Sequence, residues 1–334
     1  MEMYRSTSVL VLLSLCVLAS NVEASIIGWV APHNPKAGTI EGRGLSLVNT
    51  PQTVLTYHNG PLMTVGPTIP VYLIWYGRFS LAQRATILAF FDSLSLQAPA
   101  TPHSVRSWWN LTSGYKDTKG KSVAPAFSVA REVSFASKSK KALVDADIEA
   151  LVGRSLKRFP ANPNAIYVVL TAANVQLQDF CLNSCASHYA SNPSQTKQMS
   201  LPYIWVGNPG LQCPGLCAWP FAKPQYGPPN FVPLLPPNRD VGIDGMIINL
   251  ASMLAGAATN PDDNGYYQGD ATAPLEAATA CTGTYGPGAY PGYPGQLIYD
   301  KTTKGSFNTY GVNNRKFLVP GLWNPDDSTC TPPN

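Results

Sequence analysis

Ala165-Ile166-Tyr167-Val168-Val169-Leu170-Thr171-Ala172 is the stretch on which the reading of this chain turns. It is a continuous β-branched, aromatic and aliphatic run, as expected of a buried strand. Ile69-Pro70-Val71-Tyr72-Leu73-Ile74-Trp75-Tyr76, ended by Gly77, reads the same way. Ser80 is placed to cap a helix in which Leu81, Ala85, Leu88, Ala89, Phe91 and Leu94 recur at helical spacing. Residues 104–115, with Trp108 and Trp109, predict a second short helix, and Ala126–Phe135 alternates as a strand. Asp145–Arg158 sets Ile148, Leu151, Val152 and Leu156 on one helix face. A strand at Tyr203–Gly207 follows a cysteine-bearing loop, and an apolar helix spans Gly242–Ala258. This succession predicts an α/β (α+β) single domain with a mixed, partly parallel sheet. Beyond Asn260 turns dominate, apart from a hairpin expected within Leu297–Leu318, so the C-terminal lobe reads as irregular and Pro/Gly-rich. No internal repeat and no interdomain linker is visible.

The start of the chain reads as a secretory signal peptide over residues 1–24. Arg5 supplies the positive charge, Val9–Ala19 a short apolar core, and Val22-Glu23-Ala24 the small residues before cleavage ahead of Ser25. That core is much shorter than the roughly 20 apolar residues of a spanning helix, and no later stretch is expected to span either. Residues 25–68, rich in Gly, Pro and Asn, read as an extended arm, leaving residues 69–334 as the folded domain.

Charged residues make up only 13% of the chain while apolar ones reach 45%, which fits a loop-rich globular protein and not a disordered one. The net charge of +4 is scattered. The densest basic cluster, Lys138, Lys140 and Lys141, lies among serines without interleaved aromatics, so nucleic acid is not an expected partner. Six cysteines remain after the signal peptide: Cys181, Cys185, Cys213, Cys217, Cys281 and Cys330. Structural zinc sites use closer pairs than these two Cys-x3-Cys elements, so disulfides of unspecified pairing are expected in an exported chain. Asn110-Leu111-Thr112 is an N-glycosylation acceptor.

The chemistry-bearing residues are sparse. His33, His58, His103 and His188 are the whole histidine complement, and none stands at ligand spacing from another His or carboxylate on an expected helix. There is no Gly-x-Ser-x-Gly elbow, phosphate-cradling loop or dinucleotide fingerprint. No catalytic residue, cofactor or metal ligand is assigned. Asp240, Asp244, Asp262, Asp263, Asp270 and Glu276 are the carboxylates a glycosidase could draw on.

Seven strings carry a resemblance: Tyr57–Pro61 (YHNGP), Val71–Phe79 (VYLIWYGRF), Tyr203–Asn208 (YIWVGN), Cys213–Phe221 (CPGLCAWPF), Asp244–Leu254 (DGMIINLASML), Asn264–Gly269 (NGYYQG) and Gly311–Val319 (GVNNRKFLV). Together and in this order they resemble the plant EXORDIUM family, also called the phosphate-induced protein 1 family. The resemblance implies export to the apoplast or cell wall and a brassinosteroid-linked role in growth.

Some members of that family carry His-Glu-Leu-Ala-Glu on the helix matching Asn249–Ala258, a string resembling the first part of a zincin metal site. Here Ser252 stands at the His position, Met253 at the base position and Gly256 at the second-ligand position. Glu276 matches a carboxylate that could serve as a further ligand in those members. The resemblance therefore implies a zincin-like scaffold lacking its metal site, and a non-catalytic protein binding a wall polysaccharide or an extracellular protein. Trp219, Tyr226, Tyr266, Tyr267, Tyr285, Tyr290, Tyr293 and Trp323 are the aromatics expected to offer a contact surface. The competing expectation is an extracellular hydrolase of wall glycans or peptides.

Overall fold

A computed structural model of the chain describes residues 53–137, 142–182, 184–224 and 230–333. The signal peptide, most of the expected arm, the Lys138–Lys141 cluster and Tyr226 lie outside the described residues.

In chain order the principal elements are β1 Thr56–Tyr57, β2 Ile69–Tyr76, α1 Leu81–Ser93, α2 Val105–Trp109 and β3 Phe127–Phe135. They continue with α3 Asp145–Ser155, β4 Ile166–Thr171, β5 Ala186–Ala190, β6 Pro202–Gly207, α4 Pro214–Cys217, α5 Val241–Thr259 and β7 Tyr266–Tyr267. The main sheet has the order β3-β2-β4-β6-β5, parallel throughout except for β5, which runs antiparallel to β6 at one edge. The mixed α/β single domain expected from the sequence is thus the observed one.

Period-two alternation gives the sheet two apolar faces. Val71, Leu73, Trp75, Val168, Leu170, Ile204 and Val206 point to one, where α1, α2 and α5 contribute Phe90, Phe91, Trp108, Trp109, Leu250 and Leu254. Tyr72, Ile74, Tyr167, Val169, Tyr203 and Trp205 point to the other, covered by Ile148, Leu151 and Val152 of α3. This two-sided cover explains why β4 and β6 are buried at every position. Ser80 caps α1 as expected, accepting from Gln83 N while the Gln83 side chain accepts from Ser80 N.

Four features depart from the sequence expectations. Residues 53–68 do not lie as a surface arm: Leu55, Leu62 and Met63 join the core, and β1 pairs with β7. In that ladder Tyr57 stacks on Tyr266 and His58 on Tyr267, and a side chain at Gly60 would collide with Asn264. Strand β5 had no expectation, because Ala186-Ser187-His188-Tyr189-Ala190 lacks the β-branched residues that mark strands. The hairpin expected over 297–318 is two separate antiparallel ladders, Ile298–Tyr299 with Ser306–Phe307 and Thr309–Tyr310 with Lys316–Phe317. Between them buried Asn308 donates to Tyr285 O and Val319 O and accepts from Val319 N, replacing ladder bonds the lobe lacks. Finally, α5 does have the length and hydropathy of a spanning segment. Its buried positions instead pack into the centre of the domain.

The cysteines pair as Cys181–Cys213, Cys185–Cys217 and Cys281–Cys330. Each Cys-x3-Cys element meets the other, because α4 sets Cys213 and Cys217 one turn apart opposite the loop that enters β5. Asn249 of α5 donates to Cys217 O at 2.9 Å, so the double rung also ties β5 to α5 through α4.

Candidate functional site

A cleft of about 990 Å³ opens where the edge strand β5 meets α5 and the segment 271–285. Ser252 and Met253 of α5 line it together with Glu276, and Gly256 stands one helical turn beyond Ser252. Three of the four positions singled out in the sequence thus line one cleft, and the fourth, Gly256, stands against Glu276. Against Gly256 and Glu276 lies His188 of β5, which the sequence singled out no more than any other histidine.

His188 Nε2 donates to Glu276 Oε2 at 2.8 Å, with the two side chains only 7% and 5% exposed. Glu276 Oε1 accepts from Asn260 Nδ2 at 2.6 Å, and Asn260 Oδ1 accepts from Gly265 N at 2.6 Å. Both carboxylate oxygens are thus occupied. A Cβ on Gly256 would stand 2.7 Å from Glu276 Oε2 and 2.7 Å from His188 Nε2. The imidazole therefore takes the space that a side chain at 256 would use. Ser252 Oγ donates back to Ile248 O, as hydroxyls on helices commonly do, and Met253 packs in the core. Among the described residues no three His, Cys, Asp or Glu side chains converge in a way that could hold a metal ion.

Burial by itself would lower the His188 pKa, but the Glu276 charge and hydrogen bond outweigh it and hold the imidazole above its ordinary value. Its other nitrogen, Nδ1, is buried and meets no hydrogen-bond partner among the described residues. Asp263 lies in the cleft as well. Burial raises its pKa, His188 opposes that, and Glu276 and Asp262 add to the rise, which prevails.

The remaining expected residues disperse. Asp240 caps α5 by accepting from Ile243 N, and Asp270 accepts from Thr272 in a turn. Asp244 is buried beneath Asn238, which donates to both of its oxygens, and burial pushes it up to about 7. Of the aromatics, Tyr285 and Trp323 are buried, and Tyr266 and Tyr267 are stacked in the β1–β7 ladder. Tyr290 and Tyr293 stand exposed on a turn, and Trp219 lines the cleft. Asn110 is exposed just after α2, while the Thr112 hydroxyl of the same triplet turns inward to Trp109 O.

The fold and cleft define a disulfide-stapled α/β domain with a closed histidine–carboxylate pair at its cleft. The sequence pattern of the phosphate-induced protein 1 conserved region matches residues 55–333, and the chain belongs to this family. It is 48% identical over 286 residues to Protein EXORDIUM of Arabidopsis thaliana, covering 83% of this chain and 88% of that protein. It is 46% identical over 291 residues to Protein PHOSPHATE-INDUCED 1 of Nicotiana tabacum, covering 86% and 90% respectively. Protein EXORDIUM-like 1 of Arabidopsis thaliana is 43% identical over 285 residues, covering 84% and 90%. No solved structure matches the chain, and the zincin-like assignment gains no support.

Gly256→Ala is expected to destabilise the domain by about 1–3 kcal/mol through overpacking. In a His188→Ala background much of that cost should disappear, because one of the two colliding groups is gone; urea melts of the double-mutant cycle measure the coupling. The raised His188 pKa sets a sign as well. Its stabilisation is fully present below the ordinary histidine value of about 6.5 and is lost as pH rises through the higher folded value. His188→Gln should therefore lower the melting temperature more at about pH 5 than at about pH 9.

Proposed function

We propose that this chain is a non-catalytic binding protein of the plant apoplast and cell wall, acting in growth regulation. The observation that carries the reading is the closed pair at the cleft. Glu276 has both oxygens engaged, and His188 has one nitrogen on Glu276 and the other buried. A general base must reach the proton it removes; each Glu276 oxygen already accepts a hydrogen bond, and the unpartnered Nδ1 of His188 is buried from solvent. Three disulfides suit an oxidising compartment and support export through the expected signal peptide. The family resemblance supplies the wall and the brassinosteroid-linked growth context. Candidate ligands are a wall glycan or a protein partner.

One observation favours a hydrolase instead: Asp263 and Glu276 share the cleft, and the Asp263 carboxyl is raised. A glycosidase needs two available carboxylates, and Glu276 is tied to His188 and Asn260. Incubating the purified secreted protein with wall polysaccharide fractions and with unfolded protein decides between them. Retention without released sugar or peptide, and zinc well below one per chain by elemental analysis, is the expected outcome. Released product, or stoichiometric zinc, overturns the proposal. Exposed Asn110 is proposed to carry an N-glycan. Asn110→Gln should then abolish the mobility shift produced by a peptide-N-glycosidase, and an unchanged shift rejects that assignment.

A further inference from the structure

We infer that the cleft takes an extended peptide, added as a further strand along the free edge of β5; the inference rests on the binding reading above. In an antiparallel pair, residues that exchange main-chain hydrogen bonds alternate with residues whose N–H and C=O point away. Gly207 N donates to Cys185 O at 3.4 Å and Ser191 N donates to Leu201 O at 2.9 Å, one at each end of the β5–β6 ladder. Within the same register Ser187 faces Trp205 and Tyr189 faces Tyr203. Residues 185, 187, 189 and 191 therefore bond to β6, and Ala186, His188 and Ala190 turn their main chains outward.

Among the described residues β5 is the last strand of the sheet and pairs with nothing beyond β6. Ser184 Oγ donates to Ala186 O at 2.7 Å. Among the described residues nothing on the open side bonds to the main chain of His188 or Ala190. Residues 184–189 line the cleft, so the unpaired edge opens into it. The strand has no Lys, no Pro and no bulge to block pairing along its edge. Unpaired N–H and C=O groups at a two-residue repeat complement the backbone of an extended peptide.

The charge and the rings of the cleft narrow the ligand further. Among the described residues His188, Glu276 and Asp263 are the charged groups lining it, and no Lys or Arg does. With His188 and Glu276 compensating each other, Asp263 leaves the cleft acidic. A peptide carrying a basic residue is matched to it, and a polyuronate is not. Of the Tyr and Trp rings lining the cleft, only Tyr189 is exposed, and one ring is a small platform for a sugar. Tyr285 is buried against Trp219, whose own ring also packs on Phe231. Sugar stacking needs an open ring face, so a neutral glycan finds less here than a backbone does.

The test uses a fluorescent, end-blocked peptide of alternating Val and Lys and the full secreted protein, read by anisotropy. N-methylation of alternate residues removes the donors of one peptide edge only. One methylation frame should weaken binding by about tenfold or more, and the other by no more than about twofold. Ala190→Pro removes an outward N–H without touching the β6 ladder and should weaken binding by about tenfold, with the melting temperature confirming the fold. Asp263→Asn should weaken the lysine peptide by roughly two- to fivefold and leave a Gln-for-Lys analogue unchanged. Equal loss in both frames, no binding at any accessible concentration, or displacement by neutral cello-oligosaccharide overturns the edge inference while leaving a binding protein. Cleavage of the peptide, seen by mass spectrometry, overturns the non-catalytic reading instead, and the two frames still judge the edge.

Discussion

The Glu276 carboxylate joins three segments that are far apart in sequence. One oxygen holds His188 on β5, the other holds Asn260 at the end of α5, and Asn260 in turn fixes the chain at Gly265. A buried carboxylate left without partners costs several kcal/mol, so each of these groups constrains the others. Asn260 sets where α5 stops and where the chain turns into β7, against which β1 lies. Gly256 follows from the same constraint, since the pair leaves no volume for a side chain there. The cleft is therefore defined from its centre outward.

The disulfides complete that definition from the other side. Cys181–Cys213 and Cys185–Cys217 clamp the entry of β5 to α4, and the Asn249 bond to Cys217 O carries the clamp to α5. The edge strand is thus held at its start by covalent bonds and at its middle by the His188–Glu276 pair. An edge fixed in this way keeps its outward N–H and C=O groups in register without a neighbouring strand, which lowers the ordering cost of adding one.

Several family strings prove to be solutions to packing problems. Tyr57–Pro61 and Asn264–Gly269 meet in one ladder of stacked rings, where Gly60 is required by contact with Asn264. Cys213–Phe221 supplies two disulfide partners and the turn beneath Trp219. Four of the aromatics that looked available for binding are spent on packing, Tyr285 and Trp323 in the core and Tyr266 and Tyr267 in the β1–β7 ladder. Composition could not separate these uses, because a ring that packs and a ring that binds are the same residue.

The sequence by itself determined the parallel core. The runs around Tyr167 and Trp75 leave no polar face, and such strands are stable only with helices on both sides. It also determined the cap at Ser80, the apolar helix through Leu250, and the absence of a His-Glu pair on that helix. Only the tertiary structure decided which cysteines pair, where β5 lies and what became of the ligand positions. Those outcomes join residues such as His188, Gly256 and Glu276 across long sequence separations, and they are fixed by shared volume and shared hydrogen bonds. No local periodicity records such a meeting, because each of the three residues is unremarkable in its own segment.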